Sequence, residues 1–236
     1  MRAIPLRYLP WMIRDLVLAQ GAVLAALALI TGLIMARIDP APDPASGPSL
    51  VLGALQQMAL PFLLYCAAAI VSNDRVHGYY RSFFSRPLSP TGYYFTRWLL
   101  GGILYVLICP VLTLALNLAI GSFPLSWDLI GKLGLNYLLL GSLIFFFSSF
   151  TRGDWLLGLL VFIVQSVLHT LKRGGAELPD AWEFVRAILP PTYLPSLSGP
   201  FPAGAALTHV LLYGAGLTVA ALALVHLRPL GVGGRS

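Results

Sequence analysis

Residues 129–150 read LIGKLGLNYLLLGSLIFFFSSF. Lys132 is the one charged side chain in that run. A helix needs about 20 mostly apolar residues to cross a hydrocarbon core of about 30 Å, and this run has the length and the composition. It must be helical, because every backbone N–H and C=O has to find a partner inside lipid. Working outward, four more runs meet the same length: Leu16 to Ala36, Leu50 to Val71, Trp98 to Ile120, and Ala205 to Val225. A fifth, Trp155 to Leu171, is 17 residues long and still within the spanning range. Pro61 and Pro110 fall inside two of the runs, where they are expected to kink the helices rather than end them.

The whole composition agrees with six spans. Of 236 residues, 58% are hydrophobic and 10% are charged, against about 25% charged in a soluble domain. A soluble core of this size has no room for so much apolar surface. The expected fold is therefore all-α: a single polytopic membrane domain over residues 1–236. The first run is too long for a cleaved signal peptide and has no cleavage site followed by a soluble domain. Cys66 and Cys109 lie in apolar runs and read as small buried hydrophobes, with no disulfide framework. All basic residues except Lys132 and Lys172 are arginine, a usage that suits a GC-rich bacterial genome.

Charge sets the orientation. With the N-terminus inside, Arg2, Arg7, Arg14, Arg75, Arg81, Arg86, Arg97, Arg152, Arg228 and Arg235 are cytoplasmic. Arg37, Lys132, Lys172, Arg173 and Arg186 are outside. The excess of basic residues on the first side predicts a bacterial cytoplasmic-membrane protein with both termini in the cytoplasm.

Outside the spans, residues 1–15 mix arginines with Ile4, Leu6, Leu9, Trp11 and Met12, and Pro10 opens a short interfacial helix. Prolines at 40, 42, 44 and 48 make residues 37–49 an extended outer connector. Within 172–204, Asp180 and Glu183 have the spacing of a helix cap and its reciprocal partner, and Pro190-Pro191 stops that helix. A short helix on the outer surface, before the last span, is expected.

Several chemistries are missing from the sequence. No acid lies within a span, which weighs against an ion-coupled transporter, as does the lack of an inverted repeat. There is no His-Glu-x-x-His, no Gly-x-Ser-x-Gly and no phosphate-binding Gly-x-x-x-x-Gly-Lys loop. The chain is not expected to be an enzyme or to hold a cofactor, and energy for uphill transport has to come from another subunit. Nothing calls for a nucleic-acid partner.

Polar side chains within the spans gather in the half of the bilayer assigned to the outside. Lys132, Asn117 and His169 lie near helix ends and reach headgroup water there. Gln56, Gln57, Asn136 and Gln165 lie deeper, where an amide facing lipid is costly. Either they bond between helices or, with His209, they line a water-filled substrate path. His169 and His209 lack a third ligand, so no metal site is assigned.

The most specific stretch joins the second and third spans: SNDRVHGYYRSFFSRPLSPTGYYFTR, residues 72–97. Tyr79, Tyr80, Phe83 and Phe84 recur at helical intervals between Gly78 and Pro87. A helix there sets aromatics into a groove of a partner while Arg81 and Arg86 meet acidic groups at its rim. By composition alone the segment better suits an interfacial connector. A family resemblance in its spacing decides for docking. Asp74, then Gly78, then Pro87-Leu88-Ser89, then Arg97 resembles the coupling segment of membrane subunits of ATP-binding-cassette exporters of the type-2, six-helix permease family. Asp74 stands where that family usually has Glu, and Tyr79 where it usually has Thr. The resemblance extends to the layout of interfacial helix, six spans and short outer helix.

The resemblance implies a permease that forms the translocation path as a dimer, with a second copy or a homologous chain. It also implies two separate ATPase subunits that bind ATP and Mg and move the coupling segments. The haem-exporter membrane subunits share the layout and stand as an alternative. A non-transporting scaffold or assembly factor is the alternative from another class. The transported substrate is not readable from the sequence.

Overall fold

The computed structural model describes residues 59–68, 70–72, 74, 89–120, 127–194 and 201–227, with the single positions 10, 14 and 26; of 108–110 and 112–120 it describes the backbone alone. The interfacial helix of residues 1–15, the first run and the proline-rich connector thus lie outside the described residues, apart from those single positions. Every described element is helical and no strand occurs among the described residues.

Helix α1 covers residues 59–67. Helix α2, Pro90–Ile120, is 31 residues long and begins as its sequence dictates. Pro90 takes the first helical position, where a missing N–H costs nothing, and the preceding Ser89 accepts the Gly92 N–H on its hydroxyl at 3.4 Å and the Tyr93 N–H on its carbonyl at 3.0 Å. The helix continues through Pro110, and α1 through Pro61, so neither proline ends its element.

Helix α3 (Trp127–Asn136), a π turn (Tyr137–Gly141) and α4 (Ser142–Ser148) form one continuous rod. After it come α5 (Asp154–Arg173), α6 (Asp180–Ile188) and α7 (Ala205–Leu227). Three rods, Trp127–Ser148, Asp154–Arg173 and Ala205–Leu227, are long and apolar enough to cross a membrane. They mark a membrane protein. The short run at Trp155 to Leu171 is lengthened at both ends by charged residues that suit the helix dipole, Asp154 in the first turn and Lys172 and Arg173 in the last. Gly175, at φ 83°, then closes α5. The Ala176 N–H reaches Leu171 O at 3.1 Å and the Gly175 N–H reaches Lys172 O at 3.1 Å, a pairing that needs a left-handed residue between them.

The rod Trp127–Ser148 is the centre of the described bundle. Its apolar window is 67% buried, against 22% and 28% for α5 and α7. It touches α2, α5 and α7. Lipid gives apolar side chains no drive to associate with one another, so close helix approach depends on small residues and on a few polar bonds. Both are present. A Cβ on Gly102 lies 2.6 Å from the Tyr137 ring, and one on Gly101 lies 2.8 Å from its hydroxyl oxygen, so this glycine pair is the seat of the tyrosine. The Tyr137 hydroxyl donates to Trp98 O at 2.7 Å. Trp98, Tyr137, Tyr105 and Phe145 then pack ring against ring at centroid separations of 5.8–6.4 Å, Trp98 stacked on Phe145 and the other pairs tilted.

Beside this seat, Gly214 of α7 admits Leu138, whose backbone oxygen lies 2.9 Å from where a Cβ would stand. One turn on, Ser142 and Thr218 share a hydrogen bond of 2.8 Å between α4 and α7. The π turn lies between these two contacts, holding one residue more than an α turn does.

Candidate functional site

At the Asp154 end of α5, four elements meet through polar groups. Helix α1 stops after residue 67, residues 68, 70 and 71 form turns, and helix resumes at Ser72 and Asp74. The Asp74 carboxylate, on a residue only 3% exposed, lies 3.4 Å from Arg97 Nη1 of α2. The same nitrogen donates to Ile70 O at 3.4 Å. The Ser148 hydroxyl of α4 accepts the N–H groups of both Val71 and Ser72, at 2.9 and 3.1 Å. The Ser72 hydroxyl donates to Asp154 Oδ2 at 3.4 Å. Asp154 is 1% exposed and receives the Trp155 N–H on Oδ1 at 2.9 Å. Two buried carboxylates, a guanidinium, two serine hydroxyls and the backbone of Ile70, Val71 and Ser72 thus tie the ends of α1, α2, α4 and α5 into one cluster.

Tyr94, fully buried on the first turns of α2, adjoins it. Burial first, and then the Asp74 carboxylate, push its phenol well above the ordinary value, so it stays neutral. Among the described residues the cluster joins Asp74 and Asp154 to Arg97, with Asp154 at the N-terminus of α5, where the helix dipole favours a negative charge.

Of the residues assigned to coupling by sequence, Asp74 and Arg97 are thus brought into contact across 23 positions. Gly78, Tyr80, Arg81, Phe83, Phe84, Arg86 and Pro87 lie outside the described residues. Ser148 and Asp154 escaped the sequence reading. The available signal was a hydroxyl in the last turn of a phenylalanine-rich run and an acid at the first residue of the next helix, both on the side of the spans that bears Asp74.

The opposite end of α5 holds a second polar group. Glu183 of α6 pairs with Lys172 of α5 and, at 3.1 Å, with Arg186. These two donors hold its carboxyl below the ordinary carboxylate value. The expected cap at Asp180 is corrected here. Pro179 is the capping residue, its carbonyl takes the Trp182 and Glu183 N–H groups at 2.8 and 3.1 Å, and Asp180 is the first helical residue. Glu183 turns to Lys172 and Arg186 because two cations outbid one backbone N–H. The helix ends at Ile188, before Pro190-Pro191. The Tyr213 hydroxyl of α7 donates to Ile188 O, which joins this end of α6 to α7. Trp182, Phe184 and Ile188 of α6 remain exposed.

Among the described residues, the polar candidates of the spans do not converge. Gln56 and Gln57 lie outside the described residues. Gln165 is 1% exposed and its Nε2 donates to Arg186 O at 3.5 Å, an interhelical contact between α5 and α6. Asn136 is half-buried just before the π turn, and His209 is exposed on α7 with its ring 5.2 Å from that of Tyr213. Lys132 was expected to reach headgroup water. It is 6% exposed instead and pairs with Asp128 at 2.6 Å, one helical turn earlier. His169 stacks on Tyr193 at 3.9 Å. A groove of about 330 Å³ between α2 and α3 is lined by Trp98, Gly102, Val106, Tyr137 and other apolar residues, and none of the polar candidates borders it. No group of three metal-ligating side chains occurs among the described residues.

Comparison of the chain with family models, with curated proteins and with solved structures returns no match.

Proposed function

We propose that the chain is the membrane subunit of an ATP-driven exporter of the type-2, six-helix permease kind. In this reading it crosses the bacterial cytoplasmic membrane six times, with both termini in the cytoplasm. It works as a dimer, and each copy receives force from a separate ATPase subunit that binds ATP and Mg. The segment 72–97 is the receiver. The observation that carries the reading is the contact of Asp74 with Arg97. The spacing of the coupling motif begins at one and ends at the other, and their ion pair closes the segment at its base.

A loop fixed in this way transmits a push, whereas a loop free at its base absorbs it. Ser72, bonded to Asp154, and Ser148, bonded to the backbone at 71 and 72, connect that base to α4 and α5. ATP-driven closure of the partner pair then tilts these helices together and opens the path outward.

The test is recovery of the ATPase. The gene for a soluble ATPase with a phosphate-binding loop beside this one identifies the candidate. Full-length wild-type protein should retain that ATPase through purification, and Phe83→Ala/Phe84→Ala should lose it at equal membrane insertion, because anchoring aromatics carry a few kcal/mol each in such interfaces. Equal recovery by the two proteins refutes the assignment of the segment.

A further inference from the structure

We infer that the Ser148 hydroxyl is the catch of a hinge at the end of α1, and that displacement of the segment 72–97 reaches α4 and α5 through it. The inference rests on the exporter reading for the source of the displacement, and on the bonds of Ser148 for the catch. Among the described residues, the last regular helical bond near the end of α1 is Ala68 N–H to Leu64 O, at 2.8 Å. Beyond it the ladder breaks and helix begins again at Ser72. A break of this kind leaves donors and acceptors without intrahelical partners, and here they are buried: Ile70 and Val71 are 1% and 0% exposed. Without water they must be satisfied by protein. Arg97 takes the Ile70 carbonyl, and Ser148 takes both N–H groups that open the new turn.

A serine commonly caps the turn that follows it in its own chain. Ser148 does the same work from another helix, 77 and 76 positions away. The consequence is mechanical. The new turn cannot rotate or rise while Ser148 holds both of its leading N–H groups. If it does move, the end of α4 follows or two buried bonds break together. Ser72 adds the link to Asp154, the first residue of α5. Two discrete arrangements, catch closed and catch open, are what a transmitting element requires.

Ser149 serves as the internal control. It is equally buried, but its hydroxyl donates to Phe146 O of its own rod at 2.6 Å and has no bond to the hinge. Hydrogen exchange of the full-length chain in nanodiscs reads the catch directly. Ser148→Ala should speed exchange at the Val71 and Ser72 amides about five- to tenfold, the equivalent of one ordinary hydrogen bond. Ser149→Ala should leave those amides as in the wild type. Ser148→Cys, which keeps the volume with a weaker acceptor, should give a smaller change in the same direction and serves if the alanine variant inserts poorly. Transmission is read at the first turn of α5. Asp74→Asn should alter protection of residues 155–158, and in the Ser148→Ala background that response should vanish.

Wild-type exchange at 71 and 72 in both Ser148 variants overturns the catch, and an undiminished Asp74→Asn response in Ser148→Ala overturns the transmission. Neither outcome depends on ATPase recovery, so this inference and the exporter reading fail separately.

Discussion

Removing each partner of the Asp74–Arg97 pair should cost unequal amounts, and the exposures set the order. The Asp74 side chain is 5% exposed and that of Arg97 19%. Breaking a buried ion pair costs about 3–5 kcal/mol, most of it from the buried charge left without its counter-charge. Asp74→Ala leaves Arg97, which already reaches water over about a fifth of its surface and can turn further out, so the loss should be near 2–3 kcal/mol, at or below the low end of that range. Arg97→Ala leaves a carboxylate with no route to solvent and also strips the donor from Ile70 O, so about 4–5 kcal/mol is expected. The double variant removes both charges and should cost about 3 kcal/mol, well under the sum of the singles. The pair energy from that cycle is then about 3–5 kcal/mol, at or below the roughly 5 kcal/mol of bare attraction at 3.4 Å in an effective dielectric of 20. Reversible unfolding of the full-length protein in mixed micelles, titrated with a denaturing detergent, supplies the four free energies. Additivity to within about 0.5 kcal/mol, or a larger loss for Asp74→Ala than for Arg97→Ala, refutes the buried-pair account of the cluster.

Gly102→Ala puts a methyl 2.6 Å from a ring held in place by its own hydroxyl, and should cost about 1–3 kcal/mol in the same assay; Gly216→Ala, with no atom within 4 Å, should be neutral or gain up to about 1 kcal/mol. Glu183 titrates below the ordinary 4.5 because Lys172 and Arg186 bond its charged form, so the part it adds to the docking of α6 on α5 is full above pH 4.5 and is lost as the pH falls through the lowered value. Trp182 fluorescence should follow that acid step, Glu183→Gln should abolish it, and an unchanged step in the variant excludes Glu183 as its source. Single cysteines at positions 46 and 198 should react with an impermeant thiol reagent applied to intact cells, while those at 82 and 236 should not; reaction at 82 refutes the proposed orientation.

Length and punctuation carried much of the fold in the sequence. Three of the apolar runs, 129–150, 155–171 and 205–225, became rods of nearly the same bounds, and Pro190-Pro191 ended α6 close to where it had to. Those signals are local, and a chain in lipid has few local alternatives. Asp180 misled because the cap reading weighs only the four residues around it, and the decisive cation, Lys172, belongs to the preceding helix. Lys132 misled in a related way: headgroup water and an aspartate one turn earlier both satisfy an ammonium, and sequence does not rank them. In the cluster, Asp74 and Arg97 were legible by spacing. Ser148 and Asp154 were not, because their contacts with 71 and 72 join side chains to partners 76 to 82 positions away and leave no periodic trace. The π turn was illegible for the same reason: its neighbours are the glycine seat of Tyr137 on α2 and the Gly214 gap on α7, both supplied by other helices.

That turn changes what kinds of genetic lesion the central rod can tolerate. Its extra residue lies between Lys132, oriented by Asp128, and Ser148, oriented by the backbone at 71 and 72. Deleting one residue from 137–141 lets the rod relax to regular α geometry while its two halves keep nearly the same phase, because an α turn with one residue fewer covers about the same rotation as the π turn. The surface of α4 then still faces α5 and α7. The same deletion elsewhere in the rod, where no residue is spare, turns one half against the other by about 100°. A scan by substitution reports this stretch as ordinary apolar helix. A scan by single-codon deletion shows it as the place where the rod can lose a residue and keep its phase.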